Sequence, residues 1–465
     1  MNDRNVVVIC LDTVRQDYFE QHATELPSRA DVRYSNCRAP SSWTVPSHAS
    51  FLTGTLPHEH GAHAYNTTFE RISEEETFLG DLDHRTLCVS ANPYVSSAFG
   101  ADSLFDEFVD VAPSVVFADG MYLKDFDTDR DGPGAYAEYA FQALQHRHPF
   151  RSLVNGASHV LGELKPNWVP SRGDDGGRTA ARAARRLTAQ ASEPYFLFLN
   201  VMEAHAPFSM TQGYDSDYRT VPRSWSSKRI DYWDVNTGTV DPYREDIRHY
   251  RTLYGGAIDY LDRLLADLVD DLIDDTDRET TVVVTADHGE NLVYPEDDGL
   301  IEHKGSLSEG LLHVPLYVLN PPDSFDAATD GLFSLLDLGP LVDRLLGRRT
   351  EFEYAGTVPA ELIGLGSSDP PLPPEEYAYW DRAIRCVYRN TEKLLWDSTG
   401  ERYRDRIDPE QDCWRSREAT GIDVPRWARS CFHEGIDAFE RARPSDPSVD
   451  VSSGTAERLE DLGYM

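Results

Sequence analysis

Hydrophobic positions fall along the chain in two rhythms. Short unbroken apolar runs occupy Val6–Leu11, Thr86–Ser90, Pro194–Val201, Thr281–Ala286 and Leu311–Leu319. Runs of this length, bounded by polar turns, predict strands buried on both faces. Between them apolar residues recur at helical spacing. Arg178–Ala191 is rich in alanine and arginine, and Tyr254–Leu272 carries Ile258, Leu261, Leu264, Leu265, Leu268 and Leu272 on one stripe. Both predict helices, as does Leu332–Leu346. Strands alternating with helices predict an α/β fold: a mixed, mostly parallel central sheet with helices on both faces. Elsewhere the pattern weakens. Val14–Tyr18 starts a turn or helix, and residues 26–40 form a connection. Residues 111–175 lack clean periodicity and are rich in Asp, Gly and Pro, as expected of an insertion that shapes a pocket. Residues 209–240 form a long polar loop with many aromatics. Beyond about residue 350 the character shifts. Residues 369–374 form a proline-rich linker, and residues 384–388 and 393–396 predict a hairpin joined by Arg389–Glu392.

The polar punctuation of this pattern carries the candidate chemistry. In Ala39–Gly54 a polar turn runs into Thr44, Pro46 and an apolar helix that ends at glycine. Proline belongs in a first helical turn, which places Thr44 at or next to the N-cap. A helix start binds anions through its free N–H groups, so a hydroxyl there can cap the helix or attack a tetrahedral oxyanion ester. The strand at Val6–Leu11 ends in Asp12-Thr13, and the strand at Thr281–Ala286 ends in Asp287-His288-Gly289-Glu290. Both deliver ligating side chains to strand C-terminal ends, the edge where open α/β sheets bind ligands. Asp12, Asp287, His288 and the Thr44 oxygen make a mixed O/N set for one divalent metal.

Five segments, in order along the chain, resemble the sulfatase family of the alkaline phosphatase superfamily: NVVVICLDTVRQD at 5–17, WTVPSHASFLTGTLPHEHG at 43–61, EAHAPF at 203–208, TADHGE at 285–290 and HKGSLSEGLLHVPL at 303–316. The terminal AERLEDLGYM is similar to the usual family ending. The resemblance implies an alkaline phosphatase-like fold, with a catalytic domain over 1–350 and a small C-terminal α+β subdomain over 351–465. It implies that Asp12, Asp287 and His288 bind metal and that Thr44 is the nucleophile. His205 matches the family's substrate-side histidine, as leaving-group acid, ester-oxygen donor or supporting residue. Lys304, one of five lysines, matches the family lysine that offsets transition-state charge. His48 fits a hydrogen bond to Thr44 or an ester oxygen, and also plain packing. His58, His60 and His63 read as a structural turn.

Two departures matter. Sulfatases carry Cys-x-Pro-x-Arg, with cysteine where Thr44 stands and arginine where His48 stands, and convert that cysteine to formylglycine. Threonine is not expected to be converted, and it resembles the phosphodiesterase and phosphoglycerol-transferase branches. Many sulfatases also carry two acids where this chain has Asp12-Thr13. With His288 in place of the frequent asparagine, the set favours manganese or zinc, with calcium and magnesium as alternatives. The expected function is a metal-dependent hydrolase or transferase acting on a small-molecule, glycan- or lipid-linked sulfate or phosphate ester. The rival is a non-catalytic member of the fold that binds such a glycan.

Charge narrows the partners. The chain has 465 residues, 80 acidic and 44 basic, for a formal net charge of −36. No basic stripe exists to hold nucleic acid. An acidic, lysine-poor composition is that of a salt-adapted, halophilic protein. The first strand begins near Asn5, no signal peptide is visible and no run approaches a membrane span of roughly 20 residues, so the expected location is cytoplasmic. Six cysteines without metal spacing read as buried thiols, with a Cys413–Cys431 pair left open.

Overall fold

The computed structural model describes residues 4–111, 120–121, 123, 126, 133–163, 174–274, 278–325, 331–348, 356–365, 372–408, 413–441, 455–456 and 459. Seven strands form the central sheet: β1 (Asn5–Leu11), β2 (Val32–Arg33), β3 (Arg85–Ser90), β4 (Glu107–Asp110), β5 (Tyr195–Val201), β6 (Thr280–Thr285) and β7 (Leu316–Leu319). Their spatial order is β2-β7-β6-β1-β5-β3-β4. The five strands from β6 to β4 run parallel, and β7 runs antiparallel to both its neighbours. Every residue of β1, β5 and β6 is buried, because both faces of the sheet are covered.

The helices used below are α1 (Thr44–Thr53), α2 (Pro133–Gln145), α3 (Pro149–Glu163), α4 (Gly177–Gln190), α5 (Arg244–Asp274) and α6 (Leu338–Leu345). His48 and Phe51 of α1 pack their rings on Phe198 of β5. α6 backs α1, while α4 packs on β3, β5 and α5. No helix among the described residues is long and apolar enough to cross a membrane.

A second, five-stranded antiparallel sheet follows: β8 (Val358–Ile363), β9 (Ala383–Arg389), β10 (Glu392–Asp397), β11 (Arg402–Ile407) and β12 (Arg415–Thr420), in chain order. Its β9–β10 hairpin closes with Arg389 opposite Glu392, and Asn390 takes the left-handed conformation that a two-residue turn needs. Val358, Ala360, Leu362, Ile384 and Tyr388 belong to the same apolar core as β1. Buried charges lock the sheet to its neighbour. Glu309 pairs with Lys393 of β10 at 2.8 Å and with Arg38 at 3.1 Å. Glu361 of β8 pairs with Arg385 at 2.6 Å and with His58 at 2.8 Å.

Three segments differ from the pattern reading. Leu311 and Leu312 lie in a helical turn, Glu309–Leu312, so only Leu316–Leu319 is strand. Both conformations bury leucines, and a short apolar run does not distinguish them. α5 starts ten residues before Tyr254, through polar turns that the apolar stripe does not mark. Leu332–Leu346 divides into a short strand at Phe333–Ser334, a 3₁₀ turn and α6. All six cysteines are free thiols. The 350/351 boundary, the first half of the linker at 369–374, much of the 111–175 insertion and most of the terminal AERLEDLGYM lie outside the described residues.

Candidate active site and metal centre

Four adjacent parallel strands deliver polar residues to one edge of the sheet. Asp287 and His288 follow β6, Asp12 follows β1, His205 lies in the loop after β5, and Asn92 follows β3. α1 supplies Thr44 from beside this edge. Trp43 is the extended N-cap residue, so Thr44 opens the first turn, and Gly54 ends the helix in a left-handed conformation. Pro46 has no N–H, which leaves the amides of Thr44 and Val45 as the free donors of the turn.

Thr44 is fully buried, and its Oγ1 lies 3.4 Å from Asp12 Oδ2 and 3.4 Å from Asn92 Nδ2. The Asn92 amide also donates a short hydrogen bond to Asp12 Oδ2. Asp12, Asp287 and His288 each offer one atom within 4.8 Å of the others. Three buried atoms of this group have no hydrogen-bond partner: Asp12 Oδ1, Asp287 Oδ2 and His288 Nε2. Orphaned oxygens and a ring nitrogen converging in one place are costly for a bare protein and suit a divalent cation. His288 Nδ1–H donates to the Gly289 carbonyl at 2.8 Å, which leaves the Nε2 lone pair for a ligand.

Electrostatics agree with this fit. Burial pushes the Asp287 carboxyl up to about 7, against hydrogen bonds from the His288 and Thr13 amides. Burial, then the neighbouring Asp287, raises Asp12 well above the carboxylate range. Burial lowers His288. A cation reverses the penalty on both acids.

The loops around the centre are held tightly. Thr13 has φ 61, a strained left-handed conformation for a β-branched residue. Its N–H reaches Asp287 Oδ1 at 3.3 Å, its hydroxyl donates to Ala204 O at 2.6 Å, and Tyr254 donates to its carbonyl at 2.6 Å. One strained residue therefore ties the ends of β1, β5 and β6 together. Gly289 has a different constraint: a Cβ there would lie 2.0 Å from the Gly310 carbonyl.

The remaining predicted residues divide by depth. His48 donates from Nδ1 to the Thr44 carbonyl and accepts at Nε2 from Asn200, both at 2.9 Å. Both ring nitrogens are therefore engaged, one by the backbone of α1 and one by β5. The His205 Nδ1–H donates to the Ala206 carbonyl. Burial lowers its pKa to about 3, and His288 and Lys304 add to the effect. Lys304 Nζ pairs with Glu302 at 3.2 Å and lies 5.8 Å from the Trp233 ring centre. His303 stands between the two groups, its ring 4.8 Å from His288 and 5.3 Å from His205, with Nδ1 3.3 Å from Glu290 Oε2. His58 and His60 are engaged by Glu361 and Ser50, and His63 accepts from the Tyr65 amide.

The Sulfatase family model matches residues 4–347. The chain belongs to the sulfatase family. It is 28% identical over 214 residues to arylsulfatase K of Xenopus laevis, covering 41% of this chain and 39% of the relative. It is 23% identical over 349 residues to N-acetylglucosamine-6-sulfatase of Capra hircus, covering 68% of this chain and 55% of the relative. The chain thus spans about half the length, or less, of these curated relatives. Among solved structures, phosphonate monoester hydrolase SpPMH of Silicibacter pomeroyi superposes with a TM-score of 0.56 at 17% identity, covering 84% of this chain and 87% of that one. The phosphonate monoester hydrolase of Agrobacterium radiobacter gives 0.55 at 13% identity, over 99% and 95%. These likenesses establish the alkaline phosphatase-like fold.

In this sulfatase-family chain, Asp12, Thr44, Asp287 and His288 come together from three distant segments, with His205 and Lys304 at their margin. The structure adds Asn92 and the Glu290–His303 pair to these residues. Asn92 follows a strand end, and that position was its available signal. The Glu290–His303 pair forms only when two loops meet.

Proposed function

We propose that this sulfatase-family chain is a metal-dependent ester hydrolase in which Thr44 is the nucleophile toward sulfur or phosphorus. The observation that carries the reading is the Thr44 hydroxyl beside Asp12 and Asn92, next to three orphaned ligand atoms. Asp12, Asp287 and His288 hold the ion, and manganese or zinc suits their O/N chemistry. The chemistry a bound divalent ion supplies there is charge stabilisation and a lowered pKa for an attached oxygen.

The chain's own residues do the rest. Asn92 fixes the Asp12 carboxylate and the Thr44 hydroxyl against each other. The Thr44 and Val45 amides, at the positive end of α1, receive the ester oxygens. Lys304 neutralises charge that grows on them. His205 is neutral at pH 7 and donates its Nδ1–H to the Ala206 carbonyl, so it reaches the leaving oxygen through a bound proton donor such as water rather than directly. His48 is a positioning residue, fixing the first turn of α1 through the Thr44 carbonyl. Attack by Thr44 Oγ1 forms an ester to sulfur or phosphorus and breaks the bond to the leaving alkoxide, which takes up the proton the threonine hydroxyl loses; water then attacks the same atom, the bond to Thr44 Oγ1 breaks, and a proton of the water restores the hydroxyl.

Threonine itself favours a second reading within the fold. A threonyl sulfate lacks the hemiacetal release that formylglycine provides, whereas a threonyl phosphate can pass to water or an acceptor alcohol. Phosphodiester hydrolysis or phosphotransfer is that reading. A sulfated amino sugar is the substrate class suggested by the relative named N-acetylglucosamine-6-sulfatase. We place the boundary between catalytic and C-terminal parts near residue 350. The test is turnover of matched aryl sulfate, phosphate monoester and phosphodiester by metal-loaded protein and by Thr44→Ala. The variant should lose on the order of 10³-fold or more in kcat. Full activity in Thr44→Ala would remove the nucleophile assignment.

A further inference from the structure

α2 and α3 form a helical hairpin whose one extensive contact with another described element is with each other. Their inner faces are defined by Tyr139, which donates to the Ser152 carbonyl at 2.7 Å and packs where Gly156 leaves no room for a Cβ. Ala143, one turn on, is also buried. By helical period, Phe141 and Leu144 then lie on the outer side of α2. They are 61% and 61% exposed, and Phe150, in the first turn of α3, is 74% exposed. Among the described residues, five large hydrophobics are exposed, and four of them are on this hairpin.

Charge at the same tip departs from the rest of the molecule. Phe141–Arg151 reads FQALQHRHPFR, with Arg147 and Arg151 and no acid, in a chain of 80 acidic residues. Apolar and aromatic side chains around a turn, flanked by arginine, have the composition that settles into a headgroup region carrying negative charge. A body of net charge −36 is repelled by such a surface, but only within about 8 Å at physiological salt. Helices of 13 and 15 residues span roughly 20 Å at 1.5 Å per residue, more than twice that distance.

We propose that the tip of the α2–α3 hairpin docks this chain on an anionic lipid bilayer. The contact is peripheral: Phe141, Leu144 and Phe150 enter the headgroup boundary while Arg147 meets lipid phosphate. It brings the molecule to a surface where lipid-linked esters lie, yet it stands independently of which ester is cleaved.

The full chain is sedimented with vesicles of phosphatidylcholine alone, or of phosphatidylcholine and phosphatidylglycerol in equal parts. Circular dichroism checks that each variant is folded, and gel filtration checks its size. The wild-type chain should pellet with the mixed vesicles and much less with phosphatidylcholine. Leu144→Ser with Phe150→Ser should lower the bound fraction roughly tenfold. Arg147→Glu should weaken binding to the mixed vesicles selectively. Turnover of a soluble ester should be unchanged in both variants, which separates this test from the nucleophile assignment. Wild-type protein that stays in solution with both vesicle types would overturn the proposal, as would variants that pellet like wild type. So would a concentration-dependent dimer that binds no lipid and is lost in the same variants, since the tip would then meet a second copy.

Discussion

Asn92 shows how much of the site depends on one amide. It donates to Asp12 and touches the Thr44 hydroxyl, so it sets the distance between these two groups. Asn92→Ala should lower kcat by about 10–100-fold and weaken metal binding similarly, since residues that orient ligands carry effects of that size. Steady-state rates with metal titration check both. Asp287 gives a pH-dependent expectation. Without metal its folded pKa, about 7, lies above its unfolded value near 3.8. The protonated form is therefore favoured by the fold, and this contribution is present below about pH 4 and lost as pH rises through 7. Metal binding requires the ionised form and releases the proton. The gain in melting temperature from added manganese or zinc should accordingly grow from pH 5 to pH 8. A gain that is flat or falls over this range would separate Asp287 from the metal.

At the scale of elements, the second sheet meets the helical turn Glu309–Leu312 through Glu309. Burial alone would raise its pKa, but Lys393 and Arg38 outweigh that and bring it down to about 2. Glu309→Ala leaves two cations buried without their shared partner, which costs about 3–5 kcal/mol. Urea unfolding should show that loss, while Glu392→Ala, at the half-exposed start of β10 beside Lys393, should change little. Glu309 opens a helical turn one residue after Ser308, whose hydroxyl bonds Asn291 just beyond the Asp287–Glu290 segment; on the proposed ligand set, the damage should extend to metal affinity. The strands and the helix that opens at Thr44 were legible in sequence because unbroken apolar runs and the Pro46–Gly54 punctuation report local physics. β2 was not legible: two residues, Val32 and Arg33, carry no periodicity and become strand only by pairing with β7. Leu311 and Leu312 misled for a related reason, since their burial comes from tertiary packing. Asp12, Asp287 and His288 were visible as strand-end residues, whereas the place of His303 against His288 and His205 arises from loop contacts with no local signature.

At the scale of the whole molecule, the described residues include several buried, neutral imidazoles. Burial is the leading cause that lowers His48, His60, His205 and His313 to about 3 and His63 to about 4. For each, the unfolded chain takes up a proton near pH 6.5 while the folded chain does not. Their stability contribution is complete above that pH and is lost as pH falls toward 4. Buried acids such as Asp287 and Asp337, the latter raised to about 6 by burial, act in the opposite direction and offset part of the loss. The urea midpoint should therefore fall steeply between pH 6.5 and 4, and replacing His60 with Gln should flatten that slope. The sheet edge that gathers the site is itself a property of the whole fold, because Asp12, Asn92, His205 and Asp287 meet only when four parallel strands lie side by side.

The central claim is that Thr44 becomes covalently esterified. The measurement that tests it most directly is peptide mass spectrometry of metal-loaded protein, acid-quenched during turnover of an activated aryl sulfate or aryl phosphodiester. A sulfo or phosphoryl adduct on the peptide containing Thr44, absent from Thr44→Ala, is the predicted result. Turnover with an unmodified Thr44 peptide, or an adduct on another side chain that persists in Thr44→Ala, would contradict it.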